Sequence, residues 1–398
     1  MKRILFVDDE PNILSGLRRM LFPMRKEWKM HFCQSAQEAL DHMAEDPVDV
    51  IVTDMRMPGM DGATLLQRVS EEYPQTVRFV LSGQSDKETI LRTVGPAHTF
   101  LSKPCSAETL KSCVDRAFAL RDLLGNRSLK SLVAQVDALP ALPQTYARVK
   151  EELASEDASV KTVGKIVESD LGMTAKVLQL VNSAFFGMRQ GVSDVTQAVS
   201  LLGLDTIRSL VLMVGAFDTE ETLPKLLSLD ALWRHSMKVG RSAQEICKAE
   251  KADEVAINQA FTAGLLHDAG MVVLATNYKA DYERILEHAG ANREPLHQVE
   301  LETFGCTHAQ VGAYLLGIWG LPDSVVEAVA YHHSPSQCLA EHFGPLIAVH
   351  AADALDQEQR GEEGALPPAP LDVDGIERLG LIDRVSSWRD ACAGVEEE

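Results

Sequence analysis

The stretch Val48 to Gly59, VDVIVTDMRMPG, constrains this chain more than any other. It begins as an apolar, β-branched run, the pattern of a strand buried on both faces of a sheet. It ends in one carboxylate, Asp54, and then breaks at Pro58-Gly59, a turn pair. In open parallel sheets, chemistry gathers at the C-terminal ends of the strands. Asp54 is therefore read as a site residue.

Four further apolar runs flank this one. Ile4 to Val7 leads into Asp8-Asp9-Glu10, and Met30 to Cys33 is short. Val77 to Leu81 ends at Ser82-Gly83, and Thr99 to Leu101 ends at Ser102-Lys103-Pro104. Between them lie helical stripes: Ile13, Leu14, Leu17 and Leu21; Ala36, Ala39, Leu40 and Met43; Leu65, Leu66 and Val69. Alternating strands and helices predict an α/β, doubly wound, parallel five-stranded sheet. Asp8, Asp9, Asp54, Ser82 and Lys103 all stand at or just after strand ends, so one sheet edge gathers them into a pocket. Three clustered carboxylates repel unless a hard cation lies between them, and Mg²⁺ takes oxygen ligands. Asp54 is then a nucleophile toward a phosphoryl group, Lys103 a point charge for its oxygens, and Ser82 a hydroxyl that reports its presence. Asp61, by the turn, reads as a solvated acid or a loop cap.

This constellation resembles the receiver domain of two-component response regulators over residues 1–122. The resemblance implies that Asp54 is the phosphoacceptor and that a histidine kinase is the phosphodonor. It implies Mg²⁺ held at Asp9, Asp54 and the Arg56 carbonyl, with Asp8 completing the acidic pair. It also implies Phe100 as the switch aromatic and a Lys103–Pro104 bond of the kind often found cis in this family.

Composition narrows the function classes. The 398 residues carry a formal net charge of −20, which opposes nucleic acid and anionic membrane as partners. The apolar run Leu210 to Phe217 is far shorter than the about 20 residues of a membrane span. The N-terminus lacks a signal-peptide core, and the seven scattered cysteines form no Cys-x-x-Cys pair. Reduced thiols in a cytoplasmic protein are expected.

Beyond residue 122 the pattern becomes helical. Ser106 is an N-cap for a helix carrying Leu110, Val114, Ala117 and Phe118, and Gly125-Asn126 interrupts it. Leu129, Leu132, Val133 and Val136 predict a linker helix over 123–138, either packing or transmitting, including through a homodimer. Residues 139–355 predict an all-α helical bundle, with stripes such as Ile207, Leu210, Val211 and Val214 and a turn at Phe186-Gly187. Several stretches resemble the HDOD family, signalling domains related to the HD phosphohydrolases. They are Leu139 to Pro143, Ile166 to Ala184, Ala198 to Gly203, Leu265 to Gly270 and Tyr331 to Pro335. Asp170-Leu171 stands where the family often has Asp-Pro.

The HDOD resemblance implies an output module that acts through a protein partner. The resemblance to the wider HD group implies a metal set at His235, His267, Asp268 and Asp353, extended by His308, His332 and His333. Such ligands suit Zn, Mn or Fe, and a metal pair there could activate water against a phosphodiester such as cyclic di-GMP. Three departures oppose that chemistry. Ala231 stands where an acidic ligand is usual, Met271 replaces a lysine, and no Gly-Tyr-Pro follows His333. A buried hydrogen-bonded network and a metal centre are both open readings of these residues. Histidines 31, 42, 98, 288, 297, 342 and 350 belong to no evident constellation. Residues 356–398 read as a flexible loop, Gln357 to Pro370, and then a helical segment carrying Ile376, Leu379, Leu381, Ile382, Val385 and Trp388.

Overall fold

A computed structural model describes the chain except for residues 83–96, 125–128, 130–131, 134–135, 137–138, 140–142, 156–157, 183–190, 205, 208–222, 339–341, 361–368 and 396–398. Gly83, the Gly125-Asn126 break, the Phe186-Gly187 turn, the stripe residues Leu210, Val211 and Val214, and most of the expected linker helix lie outside the described residues.

The N-terminal part alternates as its sequence pattern demands. Strands β1 (Lys2–Val7), β2 (Trp28–Cys33), β3 (Val50–Asp54), β4 (Val77–Ser82) and β5 (Thr99–Ser102) are separated by helices α1 (Pro11–Met20), α2 (Ala36–Glu45) and α3 (Gly62–Glu72) among the described residues. Helix α4 (Ala107–Leu123) follows β5. The strands pair in parallel in the order β2-β1-β3-β4-β5. Side chains alternate across the sheet. Ile4, Phe6, Val50, Val52 and Phe79 pack with Leu14 and Leu17 of α1 and Leu110, Val114 and Ala117 of α4. Leu5, Val7, Ile51 and Val80 face the other way, toward Ala39, Leu40 and Met43 of α2 and Leu65, Leu66 and Val69 of α3. Val48 and Asp49 precede β3 rather than belonging to it. The Asp49 carboxylate accepts from the Arg3 amide at 2.9 Å, a bond outside the regular ladder.

Among the described residues the C-terminal part is helical. It comprises α5 (Pro143–Ala154), α6 (Val160–Glu168), α7 (Leu171–Val181), α8 (Val195–Leu202), α9 (Leu229–Ala249), α10 (Glu254–Leu266), α11 (Ala269–Asn277), α12 (Lys279–Asn292), α13 (Leu296–Phe304), α14 (His308–Ile318), α15 (Asp323–Tyr331), α16 (Pro345–Arg360), α17 (Val373–Arg378) and α18 (Val385–Cys392). Side-chain caps begin many of these helices: Asp170 on α7, Ser228 on α9, Asp253 on α10, and a reciprocal Thr307/Gln310 box on α14.

Two close helix crossings set the positions of the histidines. A Cβ on Gly264 of α10 would lie 2.6 Å from the Gly240 Cα of α9. One on Gly270 of α11 would lie 2.0 Å from the His308 carbonyl oxygen and 2.7 Å from the Gly312 nitrogen of α14. Glycine lets both pairs of backbones touch.

Gln357 to Arg360, expected in a loop, belong to α16, and residues 361–368 of that expected loop lie outside the described residues. Gln357 is held by a side-chain bond to Asp353 at 2.7 Å, one helical turn away, and also accepts from the Ala369 amide. The C-terminal segment returns to the bundle. Trp388 is fully buried and its indole donates to Glu250 at 2.7 Å. No helix among the described residues is long and apolar enough to cross a membrane.

Candidate functional site

Two clusters of chemistry-bearing side chains stand out. The first lies at the C-terminal edge of the sheet. Asp8 follows β1 and is buried, Asp9 beside it is half-buried, and Asp54 ends β3. The Lys103 amine donates to Asp8 at 2.7 Å and also bonds Asp54. Burial alone would lower the Lys103 pKa, but the bonds to Asp54 and Asp8 outweigh it and raise the value. The other Asp54 oxygen accepts from the Arg56 amide at 2.8 Å, and Asp8 accepts from the Glu10 amide at 2.9 Å. Lys103–Pro104 is cis.

The backbone around Asp54 depends on two glycines. Gly59 turns at φ +80°, and a Cβ on Gly62 would fall 2.1 Å from the Asp54 carbonyl oxygen. Asp61 caps α3, accepting from the Thr64 amide at 2.8 Å, so of its two readings the capping one describes it. Ser82 ends β4 and pairs in register with Ser102, while Phe100 sits on β5 opposite Val80. The donor set is three carboxylates and one amine. Its hard oxygens suit Mg²⁺, and Lys103 neutralises part of the same charge.

The second cluster is built from five places in the bundle. His235 comes from α9, His267 and Asp268 from the α10–α11 junction, and His308 from the start of α14. His332 and His333 follow α15, and Asp353 lies on α16. The seven expected residues are brought together. His235 Nε2 lies 3.2 Å from Asp353, and His267 Nε2 3.2 Å from Asp268. His308 Nε2 lies 3.3 Å from Asp268 and 3.0 Å from His333 Nε2. Ligand atoms of three groups each fall within 4.8 Å of one another: His235/His267/Asp268, His267/His332/Asp353 and His308/His332/His333. Ala231, four residues before His235, is exposed in the first turn of α9.

The outward nitrogens of this cluster are held in place. Nδ1 of His235 bonds Asp356 at 2.8 Å, and Nδ1 of His308 bonds Glu300 at 2.6 Å. Nδ1 of His267 and of His332 bond the carbonyls of Gly264 at 2.6 Å and Val329 at 2.8 Å. Nε2 of His267 faces the Asp268 carboxylate at 3.2 Å, and Nε2 of His332 is buried without a hydrogen-bond partner. A buried unsatisfied nitrogen costs about 1–3 kcal/mol, a cost that metal coordination would remove. Fixing one ring nitrogen by a carbonyl or carboxylate while the other faces inward is the way proteins orient metal-binding imidazoles. The residues therefore fit a transition metal.

Charge is compensated within the cluster. Burial opposes protonation of His235, but bonds to Asp353 and Asp356 outweigh it and raise its pKa to about 10. His308 likewise overcomes burial through Glu300 and Asp268 and reaches about 10. Burial and the neighbouring His267 and His308 push His332 down to about 3. Despite burial, His267 and His308 hold the Asp268 carboxyl well below the usual range.

Sequence reasoning missed four residues around this cluster. Glu300 is fully buried, takes both the His308 amide at 2.7 Å and its ring, and is bonded by Tyr282 at 2.6 Å. Asp356 joins His235 to Lys238, whose amine lies at 2.9 Å. Two histidines read as belonging to no constellation are part of it. His297 stacks on His333 with ring centroids 4.3 Å apart, and His350 bonds the His332 carbonyl at 2.6 Å. Asp356, three residues after Asp353 on one helix face, was the one signal present in sequence. Elsewhere, His31 and His42 stack at 3.7 Å, another pairing the sequence reading left out.

Comparison with known proteins finds two domains in the chain. Residues 4–115 match the response regulator receiver domain, and residues 139–335 match the HDOD domain. An uncharacterized protein of Treponema pallidum is 27% identical over 221 residues, covering 56% of this chain and 42% of that protein. The hydrogenase transcriptional regulatory protein HoxA of Cupriavidus necator is 34% identical over 158 residues, covering 39% of this chain and 31% of that protein. The chain thus spans less than half the length of either curated relative. The MmoQ response regulator of Methylococcus capsulatus is 24% identical, with a TM-score of 0.47, covering 63% of this chain and 98% of that one.

Proposed function

Since this chain is a two-component response regulator, with a receiver domain at residues 4–115 and an HDOD domain at residues 139–335, we propose that it takes a phosphoryl group on Asp54 from a histidine kinase in the cytoplasm. The HDOD domain then changes its engagement of a protein partner. The observation that carries this reading is the sheet-edge pocket, where Asp54 and Asp8 share the Lys103 amine.

Asp8, Asp9, Asp54 and the Arg56 carbonyl would hold Mg²⁺, which when bound supplies charge neutralisation to the transferring group. The chain's own residues do the rest. The Arg56 amide fixes one Asp54 oxygen and leaves the other facing Lys103. Attack by that oxygen on phosphorus forms the acyl phosphate, and the donor keeps the bonding electrons. Lys103 then has phosphoryl oxygens to bond in place of Asp54. Ser82 and Phe100, on neighbouring strands, are the proposed reporters of the change. Fluorine NMR with beryllofluoride, a phosphoryl mimic, tests the site: bound signals are expected with Mg²⁺ and none in Asp54→Ala. Identical spectra from both proteins would sink the proposal.

A second reading concerns the imidazole cluster. A buried His332 Nε2 without a hydrogen-bond partner, among ligand atoms held within 4.8 Å of one another, favours metal binding by His235, His267, Asp268, His308, His332, His333 and Asp353. Zn, Mn or Fe there could serve a metal-dependent phosphodiesterase. Elemental analysis of purified protein, followed by assay with cyclic di-GMP after Mn or Fe supply, separates the readings. Bound metal with turnover supports hydrolysis, while metal without turnover leaves a structural centre within an interaction module.

A further inference from the structure

The receiver grips the bundle through β5 and α4 among the described residues. Thr99 of β5 donates its hydroxyl to the Ile318 carbonyl at 2.7 Å. Arg116 of α4 donates to the Leu321 carbonyl, and its Nε lies 3.0 Å from Asp323. Ile318 is the last residue of α14, and Asp323 is the first of α15. The three contacts therefore hold the closed end of a helical hairpin. Its open end carries His308 at the start of α14, and His332 and His333 just after α15. Helix α14 has 11 residues, so grip and histidines are separated by about 16 Å of rigid helix.

The hairpin has a defined pivot. The start of α14, from the His308 carbonyl to the Gly312 nitrogen, lies against Gly270, where the backbones touch too closely for a side chain on Gly270. Gly270 comes two residues after Asp268, which lies 3.3 Å from His308. On the receiver side the grip begins at Thr99, the first residue of β5, whose other end reaches the sheet edge of the pocket. Thr99 is adjacent to Phe100, and β5 pairs with β4, the strand ending in Ser82. Packed helices shift as units, because close-packed interiors do not deform continuously.

We propose that the hairpin 308–331 is a lever, pivoting where His308 and Gly312 rest on Gly270, through which the β5–α4 face of the receiver regulates the imidazole cluster. A shift of β5 or α4 displaces the Ile318–Asp323 turn and, by the pivot, moves His332 and His333 relative to His308, Asp268 and Asp353. Metal affinity, or the shape of any surface formed there, then follows the state of Asp54. The proposal rests on the receiver reading of Asp54.

Amide hydrogen exchange on the full chain, with and without beryllofluoride and Mg²⁺, tests it without depending on metal or activity. In the wild type, exchange is expected to change around Asp54 and, by about fivefold or more, within 308–333. In Arg116→Gln, and in Asp323→Asn, the change around Asp54 persists while the change in the hairpin is lost or reduced. The Asp323 side chain is 87% exposed, so its variant keeps the fold if Arg116→Gln does not. A wild-type response confined to the receiver would overturn the lever. So would an undiminished hairpin response in both variants. No response around Asp54 would overturn the receiver reading, and the lever with it.

Discussion

At His308 the ring is protonated unless something displaces the proton, because Glu300 and Asp268 raise its pKa to about 10 against burial. His235 is in the same state, raised by Asp353 and Asp356. A metal needs the neutral ring, so binding must release protons. Zn²⁺ affinity is expected to rise about tenfold per pH unit for each proton released between pH 6 and 9, measurable by competition with a chromophoric chelator. In the metal-free chain the same shifts set stability. His235 and His308, raised above 6.5, contribute stability below 6.5 that is lost as pH rises through about 10. His297 and His332, lowered mainly by burial to about 4 and about 3, contribute stability above 6.5 that is lost as pH falls toward those values. Thermal melts of metal-free protein should therefore be highest near neutral pH and fall on both sides. Glu300→Gln, which keeps the shape but removes the charge behind His308, should weaken Zn²⁺ binding by about 10–100-fold. These positions show what was legible at this scale. The adjacent His267-Asp268 and His332-His333 pairs announce themselves by sequence. Glu300 does not, because a lone glutamate in a helical segment looks like a solvated one until the fold buries it against His308 and Tyr282.

The helices meet where glycine permits. Gly270→Ala would drive a methyl into the His308 carbonyl, 2.0 Å away, so overpacking should cost about 3 kcal/mol or more in chemical denaturation. Gly16→Ala, in a helix with nothing within 4 Å, should instead stabilise by about 0.5–1 kcal/mol. Their opposite signs separate packing from backbone entropy. The strands and helices around the sheet were readable because apolar period and turn residues agree there. The end of α16 was not. Its Gln357 to Arg360 resembles the Gly/Pro-rich run after it in polarity, yet Gln, Glu and Arg are good helix formers, and Gln357 bonds back to Asp353.

At the scale of the whole molecule, two sites lie on one chain with a mechanical connection between them. The two halves could be read from sequence because each carries local motifs at strand or helix ends. Their docking could not. Arg116 and Leu321 are 205 residues apart, and an arginine and a backbone carbonyl carry no matching sequence signal. The most direct test of the account is phosphate transfer to the full chain from labelled acetyl phosphate with Mg²⁺. The wild type should take up label that hydroxylamine removes, as an acyl phosphate requires, and Asp54→Ala should take up none. Equal labelling of the two proteins would contradict the assignment of Asp54 and, with it, the signal that the lever is proposed to carry.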